Sequence, residues 1–371
     1  MKCIHSPIVL FLIGLVLHIL CLGSAFGLPS MTFQVISDSA ISLPNIKAAR
    51  PDTVVCDGKF YVSYLQLSPT RTFSLLILDK NLKLQETMHL FSGRNQPTDI
   101  RACTSPGPSI SYAFETTNFQ KWAPNHLNLA RYQIAEPLPI LVASKTKVAE
   151  GTPVIIPDAL PRPGDDLVDD PTPFVYKNRF YVTTRKWGSA ILKVREFSSD
   201  LQVLETRELD FGRAFPRLSL SVNSLVEIEG KPYLVTGVFN GPPIDRRFFS
   251  YVAAVDLDES ITNIGRPLVL SRTGDYEGYV TCARYSEGIL FVGYEILTFG
   301  RRSELKGMIK AFDAKNGFAE IGSVQVNAGS SMGNHFTFEV LDRKLYIFYQ
   351  VPVPVEQLRV KVLSFRERLD N

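Results

Sequence analysis

KFYVSYL (59–65), RFYVTTR (179–185), KPYLVTG (231–237), ILFVGYE (289–295) and KLYIFYQ (344–350) are five copies of one strand-like phrase. Its anchors Tyr181, Tyr233, Phe291 and Tyr346 are evenly spaced, and the gap from Tyr61 to Tyr181 is about twice as long. A degenerate copy, SISYAFE (109–115), lies inside that gap. Six all-β units of one length predict a propeller. Each unit starts with a polar or Pro-marked opening and a short apolar strand, as in RPDTVVC, PTDIRAC and DDPTPFVY. A tight turn follows, often with glycine (Asp57-Gly58, Glu229-Gly230), then the aromatic phrase and two further strands. Turn residues at short intervals and alternating apolar positions suit antiparallel sheet, and no stretch sustains a helical period.

The last unit stops after LRVKVLSF (358–365) without a fourth strand, while MTFQVISD (31–38) precedes the first unit. The N-terminal strand is therefore expected to complete the sixth blade, with Phe33–Ile36 beside Val360–Leu363, which removes an open sheet edge. The expected fold is all-β: a six-bladed propeller of four-stranded antiparallel blades. A five-bladed ring with the degenerate unit as an elaboration of blade one is the alternative.

Residues 1–27 read as a targeting segment: Lys2, an apolar run from Ile8 to Leu22, then small residues at Gly23, Ser24, Ala25 and Gly27. The expectation is a cleaved signal peptide followed by a single domain over 28–371. An uncleaved anchor is the alternative, since the run could just span a bilayer. With no second apolar run of spanning length, the protein is expected to be secreted or periplasmic and monomeric. The three remaining cysteines, Cys56, Cys103 and Cys282, are an odd set and make no disulfide framework. Net charge is only +3 and no basic stripe occurs, which argues against nucleic acid. Metalloprotease, P-loop and serine-hydrolase motifs are absent.

In a propeller the first strands line a central channel, so their openings meet at one mouth. That geometry collects Asp52, Asp99, Arg101, Asp170, Asn223, Glu277, Asn334 and His335, with Trp122, Trp187, Arg246 and Arg301 in the rim loops. Asp52 and Asp99 each lie four residues before a cysteine, which puts them in one apparent register. Carboxyls sharing a cleft can split their pKa values into an acid and a base, the equipment for glycosidic cleavage. The competing reading is that each aspartate only caps a turn. Trp122 and Trp187 could stack on sugar rings or pack against a neighbouring blade. The Arg246–Arg247 and Arg301–Arg302 pairs could hold a carboxylate or sulfate, or be solvated loop charge.

RPDTVVCDGKFYV and DDPTPFVYKNRFYV resemble the Asp-Pro-rich blade openings of family 43 glycoside hydrolases and related furanosidase-like propellers. Those enzymes are inverting hydrolases. The resemblance implies Asp52 as base, Asp170 as the tuning aspartate and Glu277 as acid. GNHF (333–336) resembles the element that holds a central ion or water, which implies that role for His335. No other cofactor is expected. The expected function is carbohydrate binding at the mouth, with an acidic or sulfated glycan favoured by the arginines and glycosidic cleavage implied by the resemblance. A non-catalytic scaffold using the same face is the alternative.

Overall fold

The computed structural model describes residues 30–41, 47–67, 71–91, 96–105, 107–117, 124–152, 164–216, 218–239, 250–271, 276–298, 304–326, 336–351 and 357–368. The expected signal segment, Trp122, Arg246, Arg301, Asn334 and His335 lie outside these residues.

Strand β1 (Ser30–Ala40) comes first. Blade one is β2 (Ala48–Cys56), β3 (Lys59–Gln66), β4 (Thr72–Leu78) and β5 (Leu84–Phe91). Blade two is β6 (Gln96–Ser105), β7 (Ser109–Thr117), β8 (Asn125–Gln133) and β9 (Ile140–Gly151). Blade three is β10 (Asp166–Tyr176), β11 (Arg179–Lys186), β12 (Ile191–Phe197) and β13 (Val203–Asp210). Blade four is β14 (Ser219–Ile228), β15 (Lys231–Phe239), β16 (Ser250–Leu257) and β17 (Ile264–Ser271). Blade five is β18 (Tyr276–Ser286), β19 (Ile289–Thr298), β20 (Glu304–Asp313) and β21 (Ala319–Gln325). Blade six is β22 (Phe336–Leu341), β23 (Lys344–Val351) and β24 (Gln357–Arg368), completed by β1.

The expected closure is present: Phe33 pairs with Phe365, Val35 with Leu363 and Ser37 with Val362, around a bulge at Ile36. Six sheets rule out the five-bladed alternative, and SISYAFE is the second strand of a full blade. The first strands β2, β6, β10, β14, β18 and β22 pack against one another in a closed ring around the axis.

The aromatic phrase recurs because the second strand is covered on both faces, so consecutive residues point into opposite blade interfaces. In blade one Phe60 packs toward blade six, with its ring 4.7 Å from that of Tyr346. Its neighbour Tyr61 packs toward blade two with Ile100 and Tyr112. Phe180 and Tyr181 divide in the same way between blades two and four. Six apolar clusters, one between each pair of adjacent blades, form the core. Truncating one such fully buried ring would cost about 3–5 kcal/mol.

Five of the six first hairpins turn on two residues, both with positive φ: Asp57-Gly58, Lys177-Asn178, Glu229-Gly230, Glu287-Gly288 and Asp342-Arg343. That is the type I′ signature, whose twist matches the flanking strands. Gly230 sits at φ 79° with open space where a Cβ would lie. Gly230→Ala is therefore expected to lose only the backbone term, about 1 kcal/mol, read as a lower urea midpoint with unchanged slope. A loss several times larger would mean a packing role that the open space excludes.

Candidate functional site

Counting back from the hairpins sorts the channel residues into levels. Asp52 lies four residues before Cys56, the last residue of β2. Asp99 and Asp170 lie six before the ends of β6 and β10, and the residue six before the end of β2 is Arg50. At about 3.3 Å per residue, two positions place Asp52 roughly 7 Å deeper along the axis. The apparent match of Asp52 with Asp99 fails because Cys56 ends its strand, whereas Cys103 is two residues short of Ser105.

Asp52 is a staple between blades: its Oδ2 accepts from the backbone N–H of Ala102 at 2.6 Å. Around it is a space of about 290 Å³ whose walls include Arg101, Cys103, Asn223, Cys282, Arg284 and Glu339. Its charges pair locally. Arg284 Nε donates to both oxygens of Glu339 at 3.0 Å, and Nη2 adds a third bond at 2.7 Å. Asn223 is a second staple, since its Oδ1 accepts from Thr183 Oγ1 at 3.1 Å. Burial pushes the Cys282 thiol up to about 11, in keeping with a packing cysteine.

The mouth level is different. The register slips where β2, β6, β10 and β14 begin, between Ala49 and Asp52, Pro97 and Asp99, Leu167 and Thr172, and Leu220 and Asn223. Bulges re-aim side chains and are common at functional sites. Arg50 and Asp170 lie inside two of them, in left-handed backbone at φ 51° and 47°, a conformation ordinary side chains seldom adopt.

Asp99 and Asp170 are both buried and in hydrogen-bonding contact. Burial and the charge of Asp170 push Asp99 well above the carboxylate range, so it keeps its proton. Burial alone would also raise Asp170, but the bond from Asp99 and the charges of Arg101, Arg185 and Arg50 hold it well below. Arg185 Nη2 lies 3.9 Å from Asp170 and Arg50 Nη1 3.8 Å from Asp99. Arg101 borders both a small gap of about 10 Å³ beside Arg50 and Asp99 and the deeper space, so it stands between the two levels. Burial would depress its guanidinium, but Asp99, Asp52 and Asp170 hold it protonated.

A third acid, Glu295, escaped the sequence reading. It lies on β19 opposite Tyr279 and is 5% exposed. Burial, then the charge of Asp170, push it up to about 8, against Arg101 and Arg50. Its Oε1 has no hydrogen-bond partner among the described residues, and buried orphaned oxygens are rare without a ligand or water. The available signal was the phrase itself, because ILFVGYE and SISYAFE alone end in glutamate.

Glu277 lies on β18 opposite Ile296, near Glu295 in register, and its side chain is outside the described set. Trp187 is buried at 6% and its backbone exchanges hydrogen bonds with Gly164 and Asp165. It packs in its loop and presents no open ring face. No cluster of three metal-ligating side chains occurs among the described residues.

No known family profile matches the chain, and no curated protein matches it in sequence. Solved structures do. An α-L-arabinanase of Penicillium chrysogenum, complexed with arabinobiose, superposes with a TM-score of 0.64 at 12% identity, over 89% of this chain and 98% of that one. A protein of unknown function from Dyadobacter fermentans gives 0.60 at 11% identity, over 90% and 99%. An exo-β-1,3-galactanase of Phanerochaete chrysosporium, with β-1,3-galactotriose, gives 0.52 at 10%, over 86% and 78%. Identities this low establish a shared fold. The resemblance of the blade openings to glycoside-hydrolase propellers holds at that level.

Proposed function

We propose that this protein is an exported propeller that binds a carbohydrate at the mouth of its channel. The observation that carries the proposal is the convergence of Asp99, Asp170 and Glu295 with Arg50, Arg101 and Arg185 at the one level where the first strands bulge. Carboxylates and guanidiniums make charge-assisted hydrogen bonds to vicinal hydroxyls. Two propellers of the same fold were solved with oligosaccharides bound, which supports the ligand class. The N-terminal segment 1–27 supports export.

The opposed protonation of Glu295 and Asp170 favours a second reading, glycosidic hydrolysis. A protonated acid beside an ionised carboxylate is the arrangement that general acid–base cleavage needs. Glu295 would donate to the leaving oxygen and Asp170 would serve the water or the developing cation. Asp99 and Asp170 do not form the reacting pair, because hydrogen-bonded carboxyls are closer than the about 5 Å or more that either stereochemical course requires. Asp52, one level deeper, is assigned to holding blades one and two together. On this reading Asp170, one of the carboxylates implied by the resemblance, stays in the reacting pair, and Glu295 stands where the resemblance implies Glu277.

Calorimetric titration of a panel of arabino-, galacto- and xylo-oligosaccharides and oligogalacturonides tests the reading, with reducing ends assayed in parallel. At least one glycan is expected to saturate the protein, and Asp170→Asn to weaken it about tenfold or more. Binding that survives Asp170→Asn unchanged moves the site elsewhere. Binding without reducing-end release leaves the lectin-like reading and removes hydrolysis.

A further inference from the structure

We propose that this protein, expected from its sequence to be a monomer, forms a two-fold dimer through the outer edges of blades two and three.

Every outer strand carries a bulge at the same height, toward the hairpin face. The residues carried outside the ladder are Gln85, Val142, Leu204, Gly265 with Arg266, Ile321 and Ile36, in blades one to six. A bulge at an open edge keeps another strand from adding to the sheet. It does not ask for an apolar side chain, because blades one and four present exposed Gln85 and Arg266 there. In blade five Ile321 is buried. Blades two and three instead present Val142 and Leu204, 53% and 62% exposed. Ile140, Leu141 and Val203 beside them are exposed as well. Of the eight large apolar side chains exposed among the described residues, these five sit on two neighbouring blades. Lys145, three residues after Val142, donates to Gln202, the residue before Val203, at 3.0 Å. The two apolar groups are thereby joined across the blade boundary into one surface.

The size and the rim of this surface fit a second copy. Five side chains about half exposed present on the order of 500 Å² of apolar area, at the upper end of what a monomer leaves open. That is close to the apolar share of the roughly 800 Å² that each partner contributes to a stable interface. The charged groups at the rim are satisfied within the chain. Arg207 Nε donates to Glu205 at 2.6 Å, Lys145 to Gln202, and Arg131 to the Ser199 carbonyl at 2.7 Å. Such a rim does not select a partner of opposite charge, and a two-fold axis lays the surface on an equal of itself. The outer strands of the two blades are ridges with a groove at their boundary, so a ridge of each copy enters the groove of the other. The hairpin half of the outer wall lies away from the channel mouth, and both mouths stay open in the dimer.

Sedimentation equilibrium of the protein as exported, over roughly 1–100 μM, tests this. A monomer–dimer equilibrium with a micromolar or tighter dissociation constant is expected. Val142→Glu and Leu204→Glu should each weaken it about tenfold or more. Arg266→Glu, at the same bulge of blade four, should leave it unchanged. Should a variant misfold, the rise of the wild-type melting temperature with protein concentration reads the same association. A single monomeric species across the range, with a melting temperature independent of concentration, overturns the proposal. Open-ended assembly overturns the two-fold axis. Dimers that persist in both glutamate variants, or that Arg266→Glu weakens equally, overturn the assignment to this face.

Discussion

Arg101→Met is expected to lower stability by on the order of 3 kcal/mol at pH 7. Arg101 lines both channel spaces and is the cation shared by Asp52, Asp99 and Asp170. Methionine fills much of its volume but leaves those three buried acids, 4%, 3% and 8% exposed, without their common partner. Arg101 is itself only half-buried, which keeps the loss below that of a fully dry pair. Its pH dependence follows from Asp170, whose native pKa Arg101 helps to depress. Stability gained by a depressed carboxylate is present above the unfolded value and lost as pH falls through the native one. The gap between Arg101→Met and the wild type should therefore be widest near pH 7 and narrow toward pH 3. Urea melts at pH 7 and about pH 2.5 measure this, and equal losses at both would show that Arg101 acts by packing alone.

Glu295→Gln should do the opposite and stabilise. The native pKa of Glu295, about 8, lies above its ordinary 4.5. Between those values the folded protein holds a proton that the unfolded chain has released, so wild-type stability falls as pH rises through that window. Glutamine is always neutral and escapes the loss. The variant should match the wild type near pH 4.5, melt progressively higher toward pH 8, and keep a constant advantage beyond. A shift of this size corresponds to on the order of 5 kcal/mol at the plateau. A stability difference that does not change with pH would show that Glu295 titrates normally. If the chain hydrolyses a glycan, the same substitution removes the proton donor and should cut turnover by roughly 10²–10⁴-fold with little change in affinity. Gained stability with lost turnover is the signature of a residue kept for chemistry at the expense of the fold.

The architecture was legible because each blade repeats its reasons locally. Phe60-Tyr61 and Phe180-Tyr181 mark second strands buried on both faces, and Asp57-Gly58 and Glu229-Gly230 mark hairpins that need positive φ. The spare strand at 31–38 and the missing one after 365 implied the seam that Phe33 and Phe365 form. The position of the mouth was legible for the same reason, and Asp99, Arg101 and Asp170 do meet there.

The roles were less legible. Asp52 looked equivalent to Asp99 by its distance from a cysteine, but depth in a channel is counted from the hairpin, and the two cysteines stand at different places in their strands. A shift of two residues keeps a side chain on the same face of its strand and changes only its height. Hydrophobic patterning, which has period two, does not register such a shift. Glu295 was missed because it closes an otherwise apolar phrase on a second strand. Only the neighbouring blades show which charges surround it.

The sequence alone determined six blades, their strand order and the closure of the ring by the two chain ends, because those follow from short-range alternation and turn chemistry repeated along the chain. Tertiary structure decided which acid is pushed toward keeping its proton, which guanidinium divides the channel, and which aspartate bonds across two blades. Those properties are sums over charges and burial contributed by strands far apart in sequence, and they have no value until the ring is closed.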